Sequence, residues 1–153
     1  MNIFILDLDI VKCCEYMVDK HIVKMQLESA QLLSTAVRLS GINTGYNITH
    51  VNHPCSLWTR SSIDNWLWLR ELALQMHEEY RYRYGENKTH LSWLVTKSLP
   101  IPNLPQIGYT NFAQAMPYQY IQSNPVLAYR SYYIHEKQHL AQWTNRQQPT
   151  WWK

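Results

Sequence analysis

The sequence predicts a mostly α fold: a single domain over residues 1–153, with about three main helices, an extended amino-terminal arm and an extended aromatic carboxy-terminal tail. Three observations carry this. Two long segments, from Asp19 and from about Ser61 or Ser62, place apolar residues at helical spacing and close on Gly41 and Gly85. Glycine is scarce, at 4 residues in 153, which favours helices over turn-rich architectures. The chain is 46% hydrophobic and only 16% charged, so it can bury a core and is not of disordered composition.

The elements follow in order. "NIFIL" is a short strand or an extended arm, and Asp9 is placed to cap a short helix over "IVKCCEYM". The first long helix runs from Asp19 to Leu39. Residues 41–57 hold two Gly, three Asn and a Pro and read as a loop. The second long helix ends at Gly85, and "HLSWLVTKSL" supplies another short helix. A proline-punctuated stretch follows, then a short helix at "FAQAM" stopped by Pro117. Asn124 and Pro125 start the third main helix, expected to reach about Trp143, and "TNRQQPTWWK" is an extended tail.

The first long helix carries an unusual line. At about 100° per residue, His21 and Glu28 sit nearly one above the other, flanked by Lys24 and Gln31, while Val23, Leu27, Ala30, Leu33 and Val37 form the expected buried stripe. The polar line fits a solvated face. It also fits the wall of an active site, because Met25 and Leu32 share it, and a carboxyl group among apolar neighbours suits acid/base work. A nearby imidazole can orient a substrate or shuttle a proton.

Other features narrow the function. The formal charge of +3 is mildly basic, with no run of five like charges. No stretch of about 20 apolar residues is present, so no membrane partner is expected. The start "MNIFILDLD" lacks a basic segment and meets Asp7 and Asp9 at once, unlike a signal peptide. Three cysteines, two of them adjacent, make no disulfide framework and point to a reducing cytoplasm. His50, His53 and Cys55 are of zinc-ligand type, but no second pair stands at matching spacing and His77 and His90 are scattered. No metal and no cofactor is therefore expected.

The rings are 7 Trp and 11 Tyr against 2 Phe, a mixture suited to half-wet surfaces and to base stacking. In "EEYRYRY", Arg83 fits a phosphate contact or an intrahelical pair with Glu79. In "YRSYYIHEKQH", Tyr129, Arg130, Tyr132, Tyr133, Lys137 and His139 fit nucleic-acid contact or a helix whose tyrosines fill the core. Trp151 and Trp152 either dock back as a core plug or await a ligand. Lys24, Arg60 and Lys153 complete the candidate substrate contacts.

Three blocks, in order, resemble the phage pyrimidine-dimer DNA glycosylases/AP lyases. "DKHIVKMQLESAQLLSTAVR" is similar to that family's first helix, with D-x-H followed by a Glu seven residues after the His. "WLRELALQMHEEYRYRYG" is similar to its next helix, and "QPTWWK" to its terminal R-P-T-W-Y-K. The likeness covers about two-thirds of the chain and leaves out residues 86–110. It implies a phage-encoded enzyme acting on DNA or a nucleotide in the bacterial cytoplasm. In that family an amino-terminal amine attacks C1′ of the damaged nucleoside, the base leaves, and a covalent imine forms. The resemblance makes Glu28 the acid/base and His21 a substrate-contacting group. It matches His53 to a family His and assigns the amine to Met1 or Asn2. An α-amine titrates near about 8, so a useful fraction is nucleophilic at neutral pH.

The chain departs from the family in its cations. Arginines beside the family's Glu are Leu27 and Gln31 here, its third residue, an Arg, is Ile3, and Asn2 is bulkier than the residue usually exposed by loss of Met. Phosphate contacts dominate duplex affinity, so a smaller nucleotide or modified base is as much in view as damaged DNA. The alternative from another class is a non-catalytic module that sequesters a nucleotide or binds a host protein. Nothing in the sequence sets the oligomeric state.

Overall fold

A computed structural model describes all 153 residues. The fold is all-helical. It comprises α1 (Ile10–Tyr16), α2 (Asp19–Leu39), α3 (Pro54–Ser61), α4 (Ile63–Tyr84), α5 (Leu91–Ser98) and α6 (Pro125–Glu136), with 3-10 turns at Tyr118–Tyr120 and Gln138–Leu140. No helix is long and apolar enough to cross a membrane. All three cysteines are free and buried.

Local chemistry sets most boundaries. The Asp9 carboxylate accepts from Lys12 N–H and caps α1, Ser62 caps α4 through Asn65 N–H, and Asn124 caps α6 through Val126 and Leu127. Gly41 and Gly85 lie at φ +100° and +130°, where a side chain is strained, and close α2 and α4. The expected loop at 41–57 ends earlier than its composition suggests. His53 Nδ1 accepts from Cys55 N–H, and Pro54 opens α3.

Two helical expectations fail for one reason. "FAQAM" is not a helix. Its backbone groups are used elsewhere: Ala113 C=O and Ala115 N–H bond the Tyr129 hydroxyl, and Ala115 C=O accepts from Asn2 Nδ2. The third main helix stops at Glu136, not near Trp143. Beyond it the chain is drawn to the start of α2. Asp19 N–H donates to Gln142 C=O, and Thr144 donates twice to the Asp19 carboxylate. This contact compensates for the missing side-chain cap on α2.

Helix α2 lies at the centre, packed on α3, α4 and α5. It is buried nearly all round, so the expected apolar stripe is only half right. Ala30, Leu33 and Val37 are buried, but Val23 and Leu27 are 39% and 38% exposed, while Ile22, Met25 and Leu32 are inside. The amino-terminal arm forms no strand. It threads the core as an extended segment, with every residue from Asn2 to Leu6 buried.

The tail is a plug. Trp152 packs edge-on against Trp143 and Tyr133, and Trp151 stands against Tyr16 with the Arg130 guanidinium over its ring. A buried ion network locks it. Arg83 donates to the Glu79 and Asp19 carboxylates at 2.7 and 3.0 Å and to the carbonyls of Cys14, Glu15 and Met17. Arg146 in the tail grips both oxygens of Glu79 at 3.0 and 2.9 Å.

Burial alone would raise the Glu79 carboxyl, but the bonds from Arg146 and Arg83 outweigh it and hold it below its ordinary value of 4.5. Its contribution to stability is therefore complete above that value and lost as pH falls through the lowered folded value. Glu79→Gln leaves Arg83 buried and underpaired, so urea unfolding at pH 7 should show a loss of about 3–5 kcal/mol. The variant should also show a shallower loss of stability below pH 4.5 than the parent. A variant as stable as the parent at pH 7 would overturn this account of the tail.

Candidate active site

The polar line of α2 faces inward. His21 and Glu28 are 6% and 8% exposed, and both line a cavity of about 220 Å³. Met1, Asn2 and Phe4 of the arm, Lys24 and Met25 of α2, Ala115, and Tyr132 and Lys137 of the α6 region complete its walls. The arm reaches this point because the core draws in Ile3, Phe4, Ile5 and Leu6, and Asn2 fixes the end.

Asn2 bonds in four directions. Its N–H donates to Glu28 Oε2 at 3.0 Å, and its Nδ2 donates to Ala115 C=O at 2.8 Å. Its Oδ1 accepts from Ile3 N–H at 2.8 Å and from the Tyr129 hydroxyl at 2.9 Å. The Met1 side chain is only 2% exposed, and the Met1 amine lies 3.7 Å from Glu28 Oε2. The other carboxylate oxygen is 3.5 Å from Lys24 Nζ. Glu28 therefore stands between two amines, one held by the buried arm and one on an exposed side chain.

His21 is fixed as firmly. Its ring stacks on Phe4 at 4.4 Å and 10°, and its Nδ1 is 2.6 Å from the Tyr133 hydroxyl. That hydroxyl already accepts from Val18 N–H at 3.2 Å. Tyr133 is fully buried, and its proton has no acceptor other than Nδ1. The proton on His21 is thereby assigned to Nε2, which has no partner within the protein. Burial, with Lys137 and Lys24 nearby, pushes the His21 imidazole down to about 3. It is a neutral donor at physiological pH.

The remaining candidates divide. Lys24 and Lys137 line the cavity. His53 does not. It caps α3, though it lies close enough for the amino terminus and Glu28 to act on it; burial lowers its pKa first, the amino terminus and His50 add, and Glu28 opposes. Tyr129 and Tyr133 are fully buried and hold Asn2 and His21 from behind, so they position the site and do not meet substrate.

Arg83 makes the intrahelical pair with Glu79 and not the phosphate contact, which is a correction: all five guanidinium N–H groups have protein partners and none is left for a phosphate. Arg60 ties down the loop through Val51 C=O and Ser56. Trp152 is buried, Trp151 packs against Tyr16, and Lys153 is exposed; none of these four lines the cavity.

The sequence reading missed Phe4 and Ala115, and it did not single out Tyr132 from the other rings of α6. Tyr132 is turned about 100° around α6 from Tyr133, and only the placement of Tyr133 in the core tells which neighbour faces the cavity.

A larger cavity, about 420 Å³ and lined by Glu15, Tyr82 and Arg146 among others, lies under the tail. Its charges are paired with one another. No three His, Cys, Asp or Glu side chains are gathered to hold a metal ion. Burial raises the Cys55 thiol, behind Asn2, to about 11, so it stays protonated and is no nucleophile. No protein-family model, curated protein or solved structure matches the chain.

The neutrality of His21 has a measurable consequence. In the unfolded chain it titrates near its ordinary 6.5, in the fold near 3. Between these values the unfolded state binds more protons, so the contribution is complete above pH 6.5 and lost as pH falls toward 3. Proton NMR should find the His21 ring unchanged between pH 8 and pH 5 while exposed histidines titrate; a His21 midpoint near 6.5 would contradict the buried, hydrogen-bonded ring.

Proposed function

We propose that the protein is an enzyme that cleaves an N-glycosidic bond in DNA or a nucleotide, on the plan of the phage pyrimidine-dimer glycosylases/AP lyases, with Glu28 as its acid/base. The observation that carries this reading is the meeting of Glu28, His21 and the Met1 amine on one small concave site, with the amine 3.7 Å from the carboxylate.

The chemistry follows from that adjacency. The amine passes a proton to Glu28, and its lone pair attacks C1′ of the sugar. The glycosidic C–N bond breaks, and the base leaves with the bonding electrons and takes up the proton held by Glu28, which is a carboxylate again. As the sugar ring opens, O4′ takes a proton from the attached nitrogen and an iminium remains at C1′. Water hydrolyses it and restores the amine. Alternatively, loss of a C2′ proton to the carboxylate drives elimination of the 3′ phosphate. His21 offers Nε2–H as a fixed hydrogen-bond donor to the sugar. Lys24 and Lys137 supply the positive charge that a phosphate would meet. The family's cation at the third position has no place here, because Ile3 is buried at 4% exposure.

Glu28→Gln should lower turnover of an abasic-site or nucleotide substrate by about 10²–10⁴-fold while the far-ultraviolet circular dichroism of the fold is kept. Borohydride should trap a covalent adduct on the amino-terminal peptide, and an added residue before Met1 should abolish trapping. A fully active Glu28→Gln protein would reject the proposal. Turnover without a trapped adduct would exclude the imine and leave a hydrolase. Tight nucleotide binding without product, unaffected by Glu28→Gln, would favour the sequestering module.

A further inference from the structure

One wall of the cavity is built from rings. Tyr132 lines the cavity and is only partly buried. Phe4 lies behind it, with centroids 6.4 Å apart and planes 27° from parallel, and Tyr120 flanks it at 5.6 Å. Phe4 in turn carries the His21 ring, and Tyr120 carries His135 at 5.7 Å. A row of rings therefore runs from the catalytic imidazole to the surface, and Tyr132 is its member on the cavity wall. Lys137 Nζ sits 5.0 Å from the centre of the Tyr132 ring. Unlike Tyr129 and Tyr133, Tyr132 makes no hydrogen bond within the protein, so the fold does not use its hydroxyl.

The cavity is also small. At about 220 Å³ it falls below the roughly 300–1,000 Å³ common for pockets that enclose drug-sized ligands. A site of this volume matches one sugar and its base.

We propose that Tyr132, backed by Phe4 and Tyr120, is the platform on which the leaving base stacks, the base taking the place of the Lys137 ammonium over its ring. The site accordingly takes a single unpaired nucleoside unit, from single-stranded or locally opened nucleic acid. This rests on the glycosidic reading above. Every nucleobase has a flat face that an aromatic ring can cover, and such stacking tolerates different bases. A base held there has C1′ directed across the cavity toward Glu28 and the amine. Lys137 beside it offers positive charge to the electrons the base carries away.

Two measurements test this. The first uses 2-aminopurine oligonucleotides on the Glu28→Gln protein, where turnover cannot interfere. Stacking should quench the fluorescence of a single-stranded probe, and of the same probe opposite a mismatch, more than that of a paired one. Tyr132→Phe should keep the quench. Tyr132→Leu, which retains bulk without a ring, should lose it and weaken binding about tenfold.

The second compares base release with strand cleavage at a preformed abasic site, which has no base to stack. Tyr132→Leu should lower base release about tenfold more than abasic cleavage, and Tyr132→Phe should lower neither selectively. Equal loss of both activities in Tyr132→Leu, or equal quenching of paired and unpaired probes, would overturn the platform. Failure of the parent protein to process either substrate would instead overturn the glycosidic reading, while the quenching result would still decide whether Tyr132 stacks a base.

Discussion

The site exists because an extended segment of chain is buried without a sheet to pair it. Five consecutive residues, Asn2 to Leu6, lie inside the core, and buried backbone groups without partners are costly. Side chains serve in place of a neighbouring strand. Ile3 N–H bonds Asn2 Oδ1, Leu6 N–H bonds Cys13 Sγ, Cys13 donates back to Phe4 C=O, and Arg130 donates to Leu6 C=O. Asn2 is the node, joining the arm to Glu28, Ala115 and Tyr129. An aliphatic residue there would orphan groups on three elements at once. It would also free the end of the arm that holds the amine.

The far end of the chain performs the matching service for α2. Its first turn has no side-chain cap, yet Gln142 and Thr144 bond Asp19 from outside, and Arg83 pairs with it from within. The tail tryptophans seal Tyr133, the same tyrosine that fixes the His21 tautomer. The orientation of the His21 imidazole therefore depends on residues more than a hundred positions away. The aromatic tail acts on the site through packing, not by touching a ligand.

This explains which parts of the molecule were legible in the sequence. Helices α2 and α4 were, because helical spacing and terminal glycines act locally, with Ser62 capping α4, and so was the shared line of His21 and Glu28, which is helix geometry. Local signals failed where tertiary bonds outbid them. The backbone of "FAQAM" is held by Tyr129 and Asn2, and the end of α6 is pulled away to Asp19. Arg83, Tyr129 and Tyr133 had the composition of a nucleic-acid surface, yet the same donors and rings serve a buried network and a core. Composition states what a side chain can bond. It does not state whether the fold has already used that capacity. Tyr132 was left level with Tyr129 and Tyr133 for the converse reason, since its role depends on which of the three α6 tyrosines the core takes.

The charges around the cavity assign different work to its two central side chains. One carboxylate, Glu28, faces the Met1 amine, Lys24 and Lys137, so the site is positively biased and suited to an anionic substrate. The same lysines, added to burial, keep His21 neutral. A ring that resists protonation until about pH 3 cannot shuttle protons at neutral pH; it can only donate from Nε2. In the proposed reaction proton transfer would fall to Glu28, the one carboxylate on the cavity and the only group there touching both the arm and an amine. The contrast between an ion-paired carboxylate and a fixed neutral donor on the imidazole follows from burial and from the two lysines on the cavity.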